Sequence, residues 1–336
     1  VAASWTLIAE QAPAENRARH CGTAQLMWAL GPAVVLLLSA ILSAFGLGLL
    51  GNRIVFAHLV VIAFFVWLMR LTMPESEEWK SNKEKEKELI AKGVWQKTSY
   101  WDLFTNRSNF RGILLLLGVY MVWNLAAGTG GFFLPFIYKT AGGVSDGMSQ
   151  GLTSLVFITS IFSTLFIFMA LADKYSRRMI YCVIASLYIA AWGLLLLPNT
   201  FLGTAVSFTS IVITPDGGDP YCLSFTFGTC VFVLASILMG INNGSGQQAF
   251  YQMWGAEMFP ARYRAAAQGF SFFFARFILG IWSYLVPVII GKGGEGLSTA
   301  AVILVSFAAV SMLIGTIFCP DTAGKTLEQI EKERYR

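Results

Sequence analysis

Glu10 and Arg17 lie about two helical turns apart, and so do Glu257 and Arg264. They belong to one short stretch written twice. Ala9/Ala256, Glu10/Glu257, Pro13/Pro260, Ala14/Ala261, Arg17/Arg264, Ala18/Ala265 and Gly22/Gly269 coincide, and Pro74-Glu75-Ser76 is echoed by Pro320-Asp321-Thr322. A carboxylate and a guanidinium at each of two related places can pair across an interface. In a partly buried setting desolvation offsets most of the attraction, so such pairs are marginal in net energy. That suits a contact which forms and parts. Asp173, Arg177 and Arg178 supply more charge of the same kind, as do Glu75 and Asp321.

A second group consists of amides inside apolar sequence. Asn243, Gln247 and Tyr251 fall at i, i+4 and i+8, on one helical face, with Asn242, Gln248 and Trp254 beside them. Asn124 and Thr129 flank a stretch in which Gly128, Gly130 and Gly131 invite a helix to unwind, or let a neighbouring helix approach. Gln25 is alone on its helix. Amides donate to and accept from hydroxyls, and ring faces cover C–H groups. Their chemistry is recognition of a polyhydroxylated solute, and the alternative is hydrogen bonding between helices. Arg276 is the costliest residue, at ~2.5–3.5 kcal/mol for a central arginine on insertion scales. It can pair with a carboxylate, meet hydroxyls or hold an anion.

The elements that carry these residues cross a membrane. The chain has 336 residues, 56% hydrophobic and 13% charged, against roughly 25% charged in an average soluble domain. Eight segments reach the roughly 20 apolar residues that a span needs: 22–44, 53–73, 111–138, 149–172, 179–199, 223–255, 265–290 and 297–319. Residues 1–9 read as the tail of another. Of the 24 Lys and Arg, only Arg53, Lys139 and Lys292 fall on one side, and Arg276 falls within a span. The rest alternate onto the other side, which the positive-inside rule makes cytoplasmic, together with the C-terminus. A multi-pass protein of the plasma membrane is expected, with the lipid bilayer as a partner. The five cysteines have no metal spacing. No phosphate loop, H-E-x-x-H or catalytic triad is present, so no enzyme, cofactor, metal site or nucleic-acid partner is expected.

In a membrane protein a long-offset repeat points to duplicated halves. The chain resembles the major facilitator superfamily and, within it, the sugar porters. The resemblance rests on both Glu-Pro-Arg motifs, on Asp173-Lys-Tyr-Ser-Arg177-Arg178, on Pro74-Glu75-Ser76-Glu-Glu-Trp79, and on Pro320-Asp321-Thr322-Ala-Gly324-Lys325-Thr326-Leu327-Glu328. It implies an all-α polytopic fold with eight complete spans, lacking helices one to three and most of four. Residues 1–73 would be the rest of the first half and 74–110 a cytoplasmic linker with amphipathic helices. Residues 111–319 would form the second six-helix half and 320–336 a cytoplasmic tail. It implies a cytoplasmic gate of Glu10, Arg17, Glu75, Asp173, Arg177, Arg178, Glu257, Arg264 and Asp321. It also implies solute contacts at Gln25, Asn124 and Thr129, to which the residues themselves add Asn243, Gln247, Tyr251, Trp254 and Arg276. Trp123 and the Gln247–Trp254 segment depart from the sugar-porter pattern, and Trp-Gly-Ala-Glu-Met-Phe-Pro is similar to the bacterial inositol branch. The expected function is transport of myo-inositol or a related sugar or polyol, with a proton as coupling ion. The alternative is carriage of an organic acid, which Arg276 favours.

Overall fold

The computed structural model describes residues 2–72, 83–84, 87–88, 90–92, 101–142, 146–200, 227–291 and 296–334. Glu75 and most of the charged linker lie outside them. The described residues are helical throughout, with no strand. Helix α1 is Ala2–Gln11, α2 is Arg17–Ala44 and α3 is Gly48–Leu71. Helix α4, Arg107–Leu116, continues through a π turn at Leu117–Met121 into α5, Val122–Gly142. Helix α6, Asp146–Ser163, ends in a second π turn at Thr164–Phe168. Then come α7 (Arg177–Thr200), α8 (Phe227–Ser245), α9 (Gln247–Glu257), α10 (Ala261–Ile290), α11 (Leu297–Phe318) and α12 (Leu327–Arg334).

Seven helices among the described residues are long and apolar enough to cross a membrane. The eighth expected span, 223–255, is present as a rod divided in two, α8 and α9. The division falls at Gly246, whose backbone (φ −97°, ψ −141°) leaves the helical region. Each end of the break is satisfied from outside, as backbone at membrane depth requires. The Asn242 carbonyl accepts from the Gly246 amide at 2.7 Å, that of Asn243 from Gln25 Nε2 at 2.8 Å, and that of Gly244 from Thr164 Oγ1 at 3.0 Å.

The glycines at 128–131 behave differently from the expected unwinding, for α5 runs through them as continuous helix. Gly128 instead admits Leu279 of α10, whose side chain occupies the space that a Cβ would take. A continuous helix satisfies its own backbone, so the small residues serve close approach. The same device, unnoticed in the sequence, recurs at Gly240 and Gly244. There α8 closes directly on the α6 carbonyls of Val156 and Ser160.

Boundaries shift where side chains cap. Asn106 accepts from the amides of Ser108 (2.9 Å) and Asn109 (3.3 Å), so α4 begins before the expected span. Buried aromatics fill the centre, among them Tyr120, Trp123, Tyr181, Trp192, Phe250 and Trp254. By contrast α3 buries only Gly51 and Val55 and presents apolar side chains outward.

Candidate solute cavity and charged gate

A cavity of about 320 Å³ opens between α2, α5, α6, α7, α8, α9 and α10. That is at the small end of ligand sites, roughly 300–1,000 Å³. Its polar wall is Asn124, Thr153, Asn242, Asn243, Gln248 and Arg276, and its ring surface comes from Trp28, Trp123, Phe157 and Tyr188. Asn124 and Asn243 thus reach the cavity, and so does Arg276. Gly128, Gly130 and Gly131 bring the α5 backbone to the same wall.

Other residues from the sequence reading lie behind this wall. The break at Gly246 rotates α9 relative to α8, so Asn243, Gln247 and Tyr251 do not share one helical face. Gln247 is buried and accepts from Asn242 Nδ2, while Asn242 Oδ1 accepts from Trp123 Nε1 at 3.0 Å. The chain Trp123–Asn242–Gln247 therefore orients the Asn242 amide. Tyr251 stacks on Tyr120, centroids 4.0 Å apart, and donates to the Gln268 carbonyl at 3.2 Å. Trp254 packs on Phe250 and Tyr181. Thr129 donates to the Leu125 carbonyl and accepts from Trp282 Nε1, both at 2.8 Å, tying α5 to α10. Gln25 reaches the break in the rod and not the cavity. Trp28, one turn beyond Gln25, lines the cavity and passed unremarked in the sequence; the spacing from Gln25 was its signal.

Arg276 is half-buried. Its Nη2 donates to Tyr120 Oη at 3.2 Å, and its guanidinium lies 5.0 Å from the Phe272 ring centroid. No carboxylate pairs with it among the described residues, and it is the one charged side chain in the described wall. Asn124 Nδ2 is buried beside it with no hydrogen-bond partner. An amide left so costs ~1–3 kcal/mol unless a guest or a water meets it.

Past the end of α9 the charges meet. Glu257, fully buried, accepts from Arg177 Nη1 with both oxygens at 2.7 Å, from Arg17 Nη1 at 3.0 Å and from Thr322 Oγ1 at 2.6 Å. Arg177 also contacts Asp173 at 3.2 Å and the Ala172 carbonyl at 3.3 Å. Arg17 donates as well to the Lys325 carbonyl at 3.1 Å. The second pair, Arg264 with Glu10, measures 2.8 Å. Asp173 accepts from the amides of Ala18 and Arg19 at 2.9 Å each, which places a carboxylate at the positive end of α2. Asp321 accepts from the Arg177 amide at 3.3 Å at the start of α7, and Arg178 donates twice to the Cys319 carbonyl (2.6 and 3.1 Å) at the end of α11. The two repeated motifs therefore bond to each other crosswise. Thr322, seen in the sequence only as part of an echo, is a full member of this cluster.

The family model described as "Major Facilitator Superfamily" matches residues 1–282. The chain belongs to the major facilitator superfamily. "Minor myo-inositol transporter IolF" of Bacillus subtilis (strain 168) is 46% identical over 336 residues, covering 100% of this chain and 69% of its own length. The solved proton:xylose symporter XylE bound to 6-bromo-6-deoxy-D-glucose overlays with a TM-score of 0.66 at 20% identity, over 98% of this chain and 70% of that one. A double tryptophan mutant of XylE gives 0.70 at 19% identity, over 97% and 69%. The chain is thus a multi-pass membrane transporter of major-facilitator fold, and not an enzyme.

Proposed function

We propose that this facilitator moves a sugar or cyclic polyol, with myo-inositol foremost, by alternating access and in symport with a proton. The observation that carries the reading is the cavity. It combines amide groups for hydroxyls, indole and phenol faces for C–H surfaces, and a volume suited to one small ring. The names of the similar proteins, an inositol transporter and a xylose symporter, support the solute class. In this reading Asn124, Asn243 and Arg276 touch the solute, together with Asn242 and Gln248. Gln247, Tyr251, Thr129 and Trp254 hold those contacts in place.

The charged cluster is the cytoplasmic gate. Residues 1–73 belong to one half and 111–319 to the other, with 74–110 joining them, so that Arg17–Glu257 and Glu10–Arg264 cross between halves. The Lys and Arg asymmetry supports a plasma-membrane protein with its C-terminus in the cytoplasm.

Uptake of labelled myo-inositol into proteoliposomes carrying the full-length protein tests the reading. Accumulation is expected when the outside is acid, and its loss with a protonophore. Arg276 favours a second reading, a small organic acid. Competition decides: inhibition by inositol and hexoses supports the first, inhibition by carboxylates alone the second.

A further inference from the structure

Gln25 is almost wholly buried, and its carboxamide nitrogen is spent on a backbone carbonyl, that of Asn243, at 2.8 Å. That carbonyl belongs to the last turn of α8, where the break at Gly246 interrupts the helical ladder. Eight residues earlier on α2, Arg17 donates to Glu257 in the last turn of α9. Residues at i and i+8 share a helical face. Two rungs therefore run from one face of α2 to one rod, and α9 lies between them.

We propose that Gln25 is a positioning residue, an uncharged latch that holds the α8–α9 break against α2 while the gate is shut and releases it when the gate opens. This rests on the alternating-access reading above. A neutral donor suits the rung nearer the bilayer centre, where a charge is costly and an amide–carbonyl bond is modest in net energy. The charged rung sits at the membrane edge, where water takes over both partners once they separate. The distinction from a solute ligand is physical: in this closed arrangement the Gln25 donor is already occupied, and Gln25 is not part of the cavity wall.

Cys21 supplies the readout. It is fully buried, one turn from both Gln25 and Arg17 on α2, and the adjacent Gly22 packs against Met169 and Phe168. Parting of this interface uncovers Cys21. The test is its alkylation by N-ethylmaleimide, without solute, in full-length protein whose other cysteines are serine. Gln25→Met removes the donor at similar volume, and Gln25→Glu replaces it with an acceptor. Loss of one hydrogen bond of ordinary net strength corresponds to a roughly two- to thirteen-fold shift in a two-state equilibrium. Both variants are expected to label faster by that factor, as is Arg17→Gln. Unchanged labelling with only a raised KM makes Gln25 a ligand and overturns the proposal. Failure of both variants to fold overturns it too, since the bond is then purely structural. Faster labelling in Arg17→Gln alone sinks the latch and leaves the gate standing; no change in any variant sinks both.

Discussion

At the scale of single residues, Asn124 and Glu257 show how one chemistry, polar groups in an apolar surround, serves two ends. Glu257 is saturated: two arginines and a hydroxyl hold it. Asn124 keeps a buried amide donor unmet. A saturated group fixes structure, and an unmet one awaits a partner. Asn124→Ala is expected to raise KM for the transported polyol roughly two- to thirteen-fold, the worth of one neutral hydrogen bond, with Tm unchanged or slightly higher. A fall of several degrees in Tm with KM intact would place Asn124 in the packing instead. Glu257→Gln is the converse case. It strands Arg17 and Arg177, and breaking a buried pair costs about 3–5 kcal/mol; thermal unfolding in detergent is expected to drop steeply. The charges of the gate were legible in the sequence because the motif is written twice. Thr322 was not, since a lone threonine after an acid has no signature until Arg177 and Glu257 close around it.

At the scale of elements, each expected span is present because a membrane leaves few alternatives to long apolar helices. The internal geometry of those helices was less legible. Three glycines in four positions predicted the break in α5, yet it lies at Gly246, a single glycine preceded by serine. The difference is external support. Gln25 and Thr164 sit opposite the carbonyls near Gly246, whereas Gly128 faces Leu279, which offers no hydrogen bond. Sequence periodicity reports a helix's own preferences and not what its neighbours supply. That is also why Asn243, Gln247 and Tyr251 seemed to share a face. The close approach of α8 to α6 gives an element-scale prediction. Gly244→Leu forces a side chain into the Ser160 carbonyl and is expected to cost at least the ~1–3 kcal/mol typical of overpacking. Monodispersity in size-exclusion chromatography should fall. Gly131→Leu, where no atom lies in the way of a Cβ, should leave it unchanged.

At the scale of the whole molecule, the two copies of the repeated motif cross-pair: Arg17 with Glu257, and Arg264 with Glu10. Charge reversal separates a gate from a chance contact. Glu10→Arg or Arg264→Glu alone should increase cytoplasmic labelling of Cys21, and the double exchange should restore protection. Failure of the double exchange to restore it would mean that the two side chains are neighbours without coupling. One more consequence follows from Asp173. It follows the α6 rod, yet the amides it caps, Ala18 and Arg19, begin α2. An N-cap worth about 1 kcal/mol is thus lent to a helix by a distant part of the chain. Separation of the two parts withdraws the loan, and the first turn of α2 must then find water. Opening the gate is in that sense also a local melting event. The two amide hydrogens should exchange with deuterium at a rate set by how often the transporter turns over its conformations, an internal clock that needs no label.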